Sequence, residues 1–160
     1  MAVSTGDFIT AAQWNNLNNA IGVQVTKNAT QAVAGSTPTI VTFPTEDWDS
    51  SAFHDLVTNN SRLTIPAGMD GKYLITGKVA FVGGTVPGPS NLAVYLNGAM
   101  FARLSLATLA DSGSIQGSIT LVLAAGNYIE LVAQVVTAST LQSVVSDYSP
   151  CYFSAVFLGT

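Results

Sequence analysis

Short strand-like runs, each ended by a turn former, are the feature that most limits how this chain can fold. From Val23 onward, runs rich in Val, Ile, Thr, Tyr and Phe are interrupted by Gly, Pro and Asn at short intervals. We predict strands over the segments 23–27, 39–43, 61–65, 71–82, 91–96, 99–106, 114–123, 127–136 and 151–158. Nine or ten antiparallel strands at this spacing predict an all-β sandwich of the jelly-roll type.

Two tight turns and three longer loops separate the predicted strands. Asn97 and Gly98 stand between two apolar runs, which is the strongest short signal for a β-hairpin because both residue types tolerate positive φ. A second turn, "AAGN", joins "SITLVL" to "YIELVAQVV". We predict surface loops over the segments 44–60, 83–90 and 137–149.

Residues 7–22, "DFITAAQWNNLNNAIG", differ from the rest of the chain and predict one short α-helix. Trp14, Leu17 and Ile21 recur at spacings of three and four, so they form a single apolar stripe. Gly22 is the predicted end of the helix. A helix of about a dozen residues that is rich in asparagine is not stable by itself, so the stripe must pack against something.

The helix stripe has three alternative partners. It packs on its own β domain, on the same helix of neighbouring subunits as a short heptad seam, or on a different protein. Trp14 is the predicted anchor, because the cores of interfaces are enriched in Trp. The chain therefore divides into an N-terminal arm and helix over residues 1–22, for attachment or oligomer contact, and a β domain over residues 23–160.

Low charge predicts either that uncharged polar residues hydrate the surface or, the interpretation we favour, that another subunit covers part of it. Charged residues make up 9% of the chain and hydrophobic residues 48%, whereas an ordinary domain is about 25% charged. Two predicted strands, "LVLAA" and "YIELVAQVV", are apolar on both faces, although an antiparallel sheet commonly has one face in water. Contact between subunits explains a face that is apolar but lies outside the core.

Charge and hydropathy also exclude several partners. The net charge is −4 and the five basic residues are scattered, so the clustered cations that nucleic-acid binding needs are missing. No stretch reaches the roughly 18 apolar residues of a membrane span, and the first residues lack the basic and apolar regions of a secretory signal. We expect no nucleic acid, no membrane, and synthesis in a cytoplasm without a signal peptide.

An acidic stretch, "EDWDSSAFHD", is the one candidate metal site. Asp47, Asp49 and Asp55 lie close together in the sequence, and hard cations such as calcium need several converging oxygen atoms. The twelve-residue calcium loop with its glycine and terminal glutamate is absent. The alternatives are a calcium site and solvated loop acids, and we predict no other cofactor.

Three aromatic residues in predicted loops form a candidate binding surface. Trp48, Phe53 and Tyr148 lie in loop-like contexts, where aromatic rings stack on sugars or on a protein partner. The alternative is that these rings fold back over the core.

The residues for catalysis are missing, so we predict no catalytic residues and no enzyme. His54 is the only histidine, and no Gly-x-Ser-x-Gly elbow accompanies it. We expect its imidazole to bind the backbone of a turn. Cys151 is the only cysteine, which excludes an intrachain disulfide, and we expect it to be a buried apolar residue of the last strand.

Residues 62–81, "RLTIPAGMDGKYLITGKVAF", resemble a strand–loop–strand of the complement globular-head and tumour-necrosis-factor-like (TNF-like) family. That family has Phe, Pro, Gly and an aromatic residue here in this order. Pro66, Gly71 and Tyr73 stand in three of these places, and Leu63 takes the place of Phe.

Three further segments resemble the same family in the right order along the chain. They are "YLNG" at residues 95–98, "LVLAAGNYIEL" at 121–131 and "YFSAVFLG" at 152–159. The likeness covers roughly residues 23–160. It implies a ten-stranded jelly roll that assembles as a homotrimer.

The N-terminal segment "GDFITAAQWNNLNNAI" is similar to the short I-T-A-x-x-W-N entry helices of phage tail, fibre and other virion proteins. Together the resemblances imply a structural protein on the virion surface, a capsid decoration or a fibre or tail tip. Its partners would be itself, as a homotrimer, and other virion proteins through the N-terminal segment. The alternative is a receptor- or glycan-binding head that meets the host surface with its loops.

Overall fold

The first of two β-sheets contains seven strands. The structure is a computed structural model that describes residues 20–82, 88–110, 113–142 and 151–160. The strands of this sheet are β1 (Gly22–Thr26), β2 (Gln31–Val33), β4 (Thr45–Asp49), β7 (Gly71–Phe81), β10 (Gly113–Leu123), β12 (Ser139–Leu141) and β13 (Tyr152–Gly159). They follow the order β2-β12-β7-β13-β1-β4, and β10 pairs with β7.

The second sheet contains six strands and packs against the first. Its strands are β3 (Thr39–Ile40), β5 (His54–Asp55), β6 (Asn59–Thr64), β8 (Gly88–Leu96), β9 (Ala99–Leu109) and β11 (Tyr128–Val135). They follow the order β5-β6-β11-β8-β9, and β3 pairs with β11. All of these strand pairs are antiparallel, which confirms the predicted all-β sandwich.

Four short strands were not predicted from the sequence: β2, β4, β5 and β12. Three of them lie inside the predicted loops 44–60 and 137–149, so those loops are shorter than predicted. The clearest case is β4, "TEDWD", which contains residue types of low β-propensity. It forms a strand because it pairs with β1, where Gln24 lies opposite Trp48; tertiary pairing overrides local propensity here.

The predicted hairpin at Asn97 and Gly98 is confirmed. Asn97 has φ of 51° and Gly98 has φ of 81°, which is the pair of positive angles that a two-residue hairpin turn requires. The turn connects β8 to β9. A short local signal therefore fixed the connection between two long strands.

Aromatic rings fill the space between the sheets. Phe43 stacks on Phe153 with ring centroids 5.9 Å apart, and Tyr73 contacts both Phe53 and Phe157. The hydroxyl of Tyr73 donates a hydrogen bond of 2.6 Å to a backbone carbonyl, so the one polar atom of this buried ring is satisfied. Burial raises the pKa of Tyr73.

The junction with the N-terminal segment differs from the prediction. Most of the predicted helix, including Trp14 and Leu17, lies outside the described residues. Gly22 does not end a helix; it begins β1 with φ of 155°. A Cβ atom on Gly22 would lie 2.2 Å from the carbonyl oxygen of Ala155. The described residues contain no helix long and apolar enough to cross a membrane.

We predict that Gly22→Ala lowers the free energy of unfolding by roughly 2–4 kcal/mol, because backbone strain and a clash with β13 add together. The measurement is urea unfolding followed by circular dichroism at one protein concentration. Gly126→Ala is the control, since Gly126 also has positive φ, 82°, but no atom would lie within 4 Å of its Cβ. If both variants lose the same free energy of unfolding, the close contact between Gly22 and β13 is unimportant for stability.

Candidate functional site

The outer side of the first sheet carries an exposed apolar surface at one end. Inward-facing residues such as Ile75 belong to the core, and the residues that alternate with them point to the outside. Four of these outer residues form what we call the apolar sheet face: Leu74, Val122, Val156 and Leu158. The exposed Lys72 lies directly opposite Val122 at the border of this face. Val122 is 76% exposed, and Leu74 and Leu158 are also exposed. Val156 lies directly opposite Leu74.

The middle of the same surface is polar but uncharged. Gln24, Ser154, Thr76 and Ser118 lie side by side across β1, β13, β7 and β10. A row of hydroxyl and amide groups costs less to remove from water than a row of charges. The outer side of the first sheet therefore combines an apolar end with a centre that another protein surface can cover.

The open edge of the sandwich lies next to this surface. Among the described strands, β9 pairs only with β8, and it is 11 residues long. Phe101 on β9 is 55% exposed and Met100 is similarly exposed. A long apolar edge strand is a site for pairing or aggregation unless something covers it.

A glycine brings the edges of the two sheets together at this side. A Cβ atom on Gly117 of β10 would lie 2.5 Å from the carbonyl oxygen of Leu104 of β9. The two sheet edges therefore form one continuous border of the sandwich, which we call the β9–β10 edge.

The two strands predicted to be apolar on both faces behave differently. "LVLAA" places Val122 outside, as the subunit-contact interpretation requires. "YIELVAQVV" does not, because its outward-facing Val132 is only 3% exposed within the single chain. The second apolar face of β11 is covered within its own chain, so the prediction is wrong for that strand.

Two of the three predicted metal-binding acids stabilise β4 and the turn that follows it. Asp47 accepts hydrogen bonds from Gln24 Nε2 at 2.8 Å and from Thr26 Oγ1 at 3.1 Å, both on β1. Asp49 accepts from the backbone N–H of His54 at 2.9 Å. These carboxylates therefore have donors from the chain itself.

The third acid, Asp55, closes a turn. Its Oδ1 accepts from the backbone N–H groups of Val57 and Thr58, and these hydrogen bonds lower the pKa of Asp55. Within the described residues, no group of three or more His, Cys, Asp or Glu side chains is placed to hold a metal ion. The structure does not bring the three acids together, and the calcium site stays a prediction.

The three predicted loop aromatics do not form one surface in the part of the chain that is described. Trp48 is exposed on β4. Phe53 is buried and contacts Tyr73 edge-on, so it is a core residue, as the alternative interpretation expected. Tyr148 lies outside the described residues.

Of the predicted helix stripe, only Ile21 is described. It is partly buried against the core of its own chain, and its carbonyl accepts a hydrogen bond of 2.8 Å from the N–H of Phe157. For this one residue the contact is with its own β domain. The partners of Trp14 and Leu17 stay predictions.

The single histidine joins the two sheets instead of binding a turn backbone. His54 lies on β5 of the second sheet, and its Nδ1 is 3.0 Å from Oε1 of Glu46 on β4 of the first sheet. The imidazole is fully buried, whereas Glu46 is partly exposed. The pair closes the side of the sandwich opposite the β9–β10 edge. The spacing of the two residues in the sequence gave no sign of it.

Cys151 is buried, as predicted. Its Sγ accepts a hydrogen bond from the N–H of Ala80 at 3.2 Å, and burial raises the pKa of the thiol. The side chain is completely enclosed. The residue is therefore a structural thiol in the folded chain.

Lys27 is a buried residue that the sequence interpretation missed. It is 1% exposed, and its Nζ donates to Gln31 Oε1 and to the carbonyl of Thr42, both at 2.9 Å. Burial lowers its pKa. The signal in the sequence was the alternation of side chains along β1. Val23 and Val25 face the core, and Lys27 is the next residue on the same side.

Comparison with solved structures supports the fold, but it does not support a particular function. No protein-family model and no curated protein matches the chain. A crystal structure of murine APRIL at pH 8.5 matches with a TM-score of 0.62 and 14% identity over 88% of this chain and 100% of that chain. The globular domain of zebrafish complement 1qA protein matches with a TM-score of 0.58 and 15% identity over 87% of this chain and 98% of that chain. The fold is a TNF-like jelly roll.

We predict that Cys151 in the native protein reacts with a thiol reagent at pH 8 only as fast as the protein unfolds. A buried thiol with a raised pKa remains protonated and inaccessible at that pH. The measurement is the labelling rate with and without denaturant. Rapid labelling of the native protein at the rate of a free thiol would contradict the enclosed position.

Proposed function

We propose that this protein is a homotrimer that works by binding and stabilising, not by catalysis. The observation that carries the proposal is that a single chain exposes both the apolar sheet face and the β9–β10 edge. A contact between the edge of one copy and the face of the next is heterologous, and such contacts form a ring when the rotation between successive copies closes. The resemblance to TNF-like and complement-head domains favours a ring of three.

In the proposed trimer, the β9–β10 edge of each copy covers the apolar sheet face of the next. Phe101 would then contact the neighbourhood of Val122 and Leu158. Full burial of each such side chain contributes about 1.5–3 kcal/mol relative to its exposed state. Because unfolding would then require dissociation, stability would increase with protein concentration.

We further propose that the trimer is part of a phage virion, as a capsid decoration or as a fibre or tail tip. The support is the similarity of the N-terminal segment to virion entry helices. In this proposal the β domain faces outward, and Trp14 and Leu17 bind other virion proteins. The site of synthesis would be the host cytoplasm.

The alternative is a receptor- or glycan-binding head with the same trimeric architecture. The observation that favours it is the exposed Trp48 on β4, because an exposed aromatic ring can stack on a sugar. Decoration and host binding differ in which side of the trimer carries the partner.

We predict that Val122→Lys, which places a second cation opposite Lys72, converts the trimer to a folded monomer. Val122 is largely exposed in a single chain, so the substitution leaves the core intact but places a charge in the proposed interface. Light scattering at micromolar concentration measures the mass, and circular dichroism confirms the fold.

Val57→Lys is the matched control for this variant. Val57 is 90% exposed on the turn between β5 and β6, so the same substitution there should leave the trimer intact. A wild-type protein that is monomeric at micromolar concentration would refute the proposed architecture.

We predict that Trp14→Ala remains trimeric but no longer binds the virion. The β domain supplies the subunit contacts in this proposal, whereas Trp14 supplies the anchor. The measurements are light scattering of the isolated protein and its co-sedimentation with particles that lack it. Unchanged binding to particles would show that Trp14 is not the anchor.

A further inference from the structure

One cation lies at the border of the apolar sheet face without a counter-charge. Lys72 is exposed on β7, opposite Val122 of β10 on one side and Gly159 of β13 on the other. No carboxylate of the described residues lies within ion-pair distance of it. Asp70, the nearest acid along the chain, accepts a hydrogen bond of 3.0 Å from the backbone N–H of Ala125. A protein surface that covers this border must therefore accommodate an ammonium group.

The two strands of the β9–β10 edge contain no acid that could pair with this cation in another copy. β9 reads "AMFARLSLATL" and β10 reads "GSIQGSITLVL", so neither contains Asp or Glu, and their one charged residue is the cation Arg103. Phe101 is the one aromatic residue of these strands, and it is 55% exposed. The charge of an ammonium group therefore finds its complement on this edge in the face of a phenyl ring, not in a carboxylate.

A lysine side chain suits such a ring. An ammonium group that lies over the face of an aromatic ring, within about 6 Å of its centroid, is attracted by the ring, and the attraction grows when water is excluded. The four-carbon stem of lysine packs along apolar surface while its charged end reaches the ring. The proposed contact brings Phe101 of one copy to the neighbourhood of Val122 of the next, and Lys72 is the direct cross-strand neighbour of Val122.

We propose that the ammonium group of Lys72 in each copy packs on the phenyl ring of Phe101 in the next copy. The pair satisfies a cation that the contact would otherwise bury without a partner, and it occurs once at each of the contacts between subunits. This proposal rests on the proposed homotrimer and names the residue pair that decides which surfaces of two copies meet.

The pair distinguishes the β9–β10 edge from the other apolar surface that a second copy offers. If two apolar sheet faces packed on each other, each Lys72 would lie on aliphatic side chains, because the face consists of leucines and valines. Removing a charge from water without a partner is costly. Lys72 therefore disfavours a face-to-face dimer and favours the edge that carries the ring, which is how an interface selects one partner surface over another.

The test is a double-mutant cycle on the monomer–trimer equilibrium of the full-length protein. The variants are Lys72→Met, Phe101→Leu and the double variant. Light scattering over a dilution series gives the dissociation constant of each trimer, and circular dichroism confirms the fold. Both substitutions keep an apolar side chain, and effects of lost area that are independent of the pair cancel within the cycle. We expect Phe101→Leu to raise the dissociation constant at least 10-fold more in the protein with Lys72 than in the Lys72→Met variant.

Lys78→Met is the matched control for Lys72→Met. Lys78 lies on the same outer face of β7, opposite Gln116 and Tyr152. It is six residues from Lys72, which is roughly 20 Å along a strand. Phe101→Leu should therefore raise the dissociation constant equally in the wild type and in the Lys78→Met variant. Equal coupling of Phe101 to both lysines would show a general charge effect and overturn the proposal.

The remaining outcomes separate the pair from the trimer. Additive effects of Lys72→Met and Phe101→Leu in a stable trimer would refute the pair but not the trimer, whereas a monomeric wild-type protein would refute both. If both proteins that carry Phe101→Leu are monomeric, Phe101→Trp decides, because an indole attracts a cation more strongly. It should strengthen assembly of the protein with Lys72 and not that of the Lys72→Met variant, and any other result would overturn the pair.

Discussion

The pairing of β7 with β10 on one side and β13 on the other is the interaction on which the rest of the structure depends. β10 pairs with β7 over its full length, from Gly71 to Phe81, and β13 pairs with seven of the same residues on the other side. This register puts Ile75 in the core and Leu74 outside. Because side chains alternate along a strand, a shift of one residue would exchange the two faces. The apolar sheet face exists only in this register.

Several of the few charged residues of the chain are used within the fold. Lys27 is buried among neutral oxygen atoms, Glu46 binds His54 across the two sheets, and Asp47 and Asp49 hold β4 in place. A chain with 9% charged residues that uses them in this way has few left to hydrate its outer surfaces. This is the physical reason why an exposed apolar face and an exposed edge support a proposal of self-association.

The outer side of the first sheet combines the apolar sheet face at one end with an uncharged polar row in the middle. That row costs less to remove from water than a row of charges would. Lys72, opposite Val122, is the cation that another protein surface covering the apolar sheet face would have to accommodate.

The sequence by itself determined the all-β class, the hairpin at Asn97 and Gly98, and the burial of Cys151, because period-two patterns and turn residues act over short distances. Only the tertiary structure decided that "TEDWD" is a strand, that His54 binds Glu46, and that Val122 is exposed whereas Val132 is covered. Each of these depends on a partner that is distant in the sequence or on the position of a strand within its sheet. Local pattern fixes which residues alternate, but register and the packing of the two sheets decide which face meets the core and which stays exposed in the single chain.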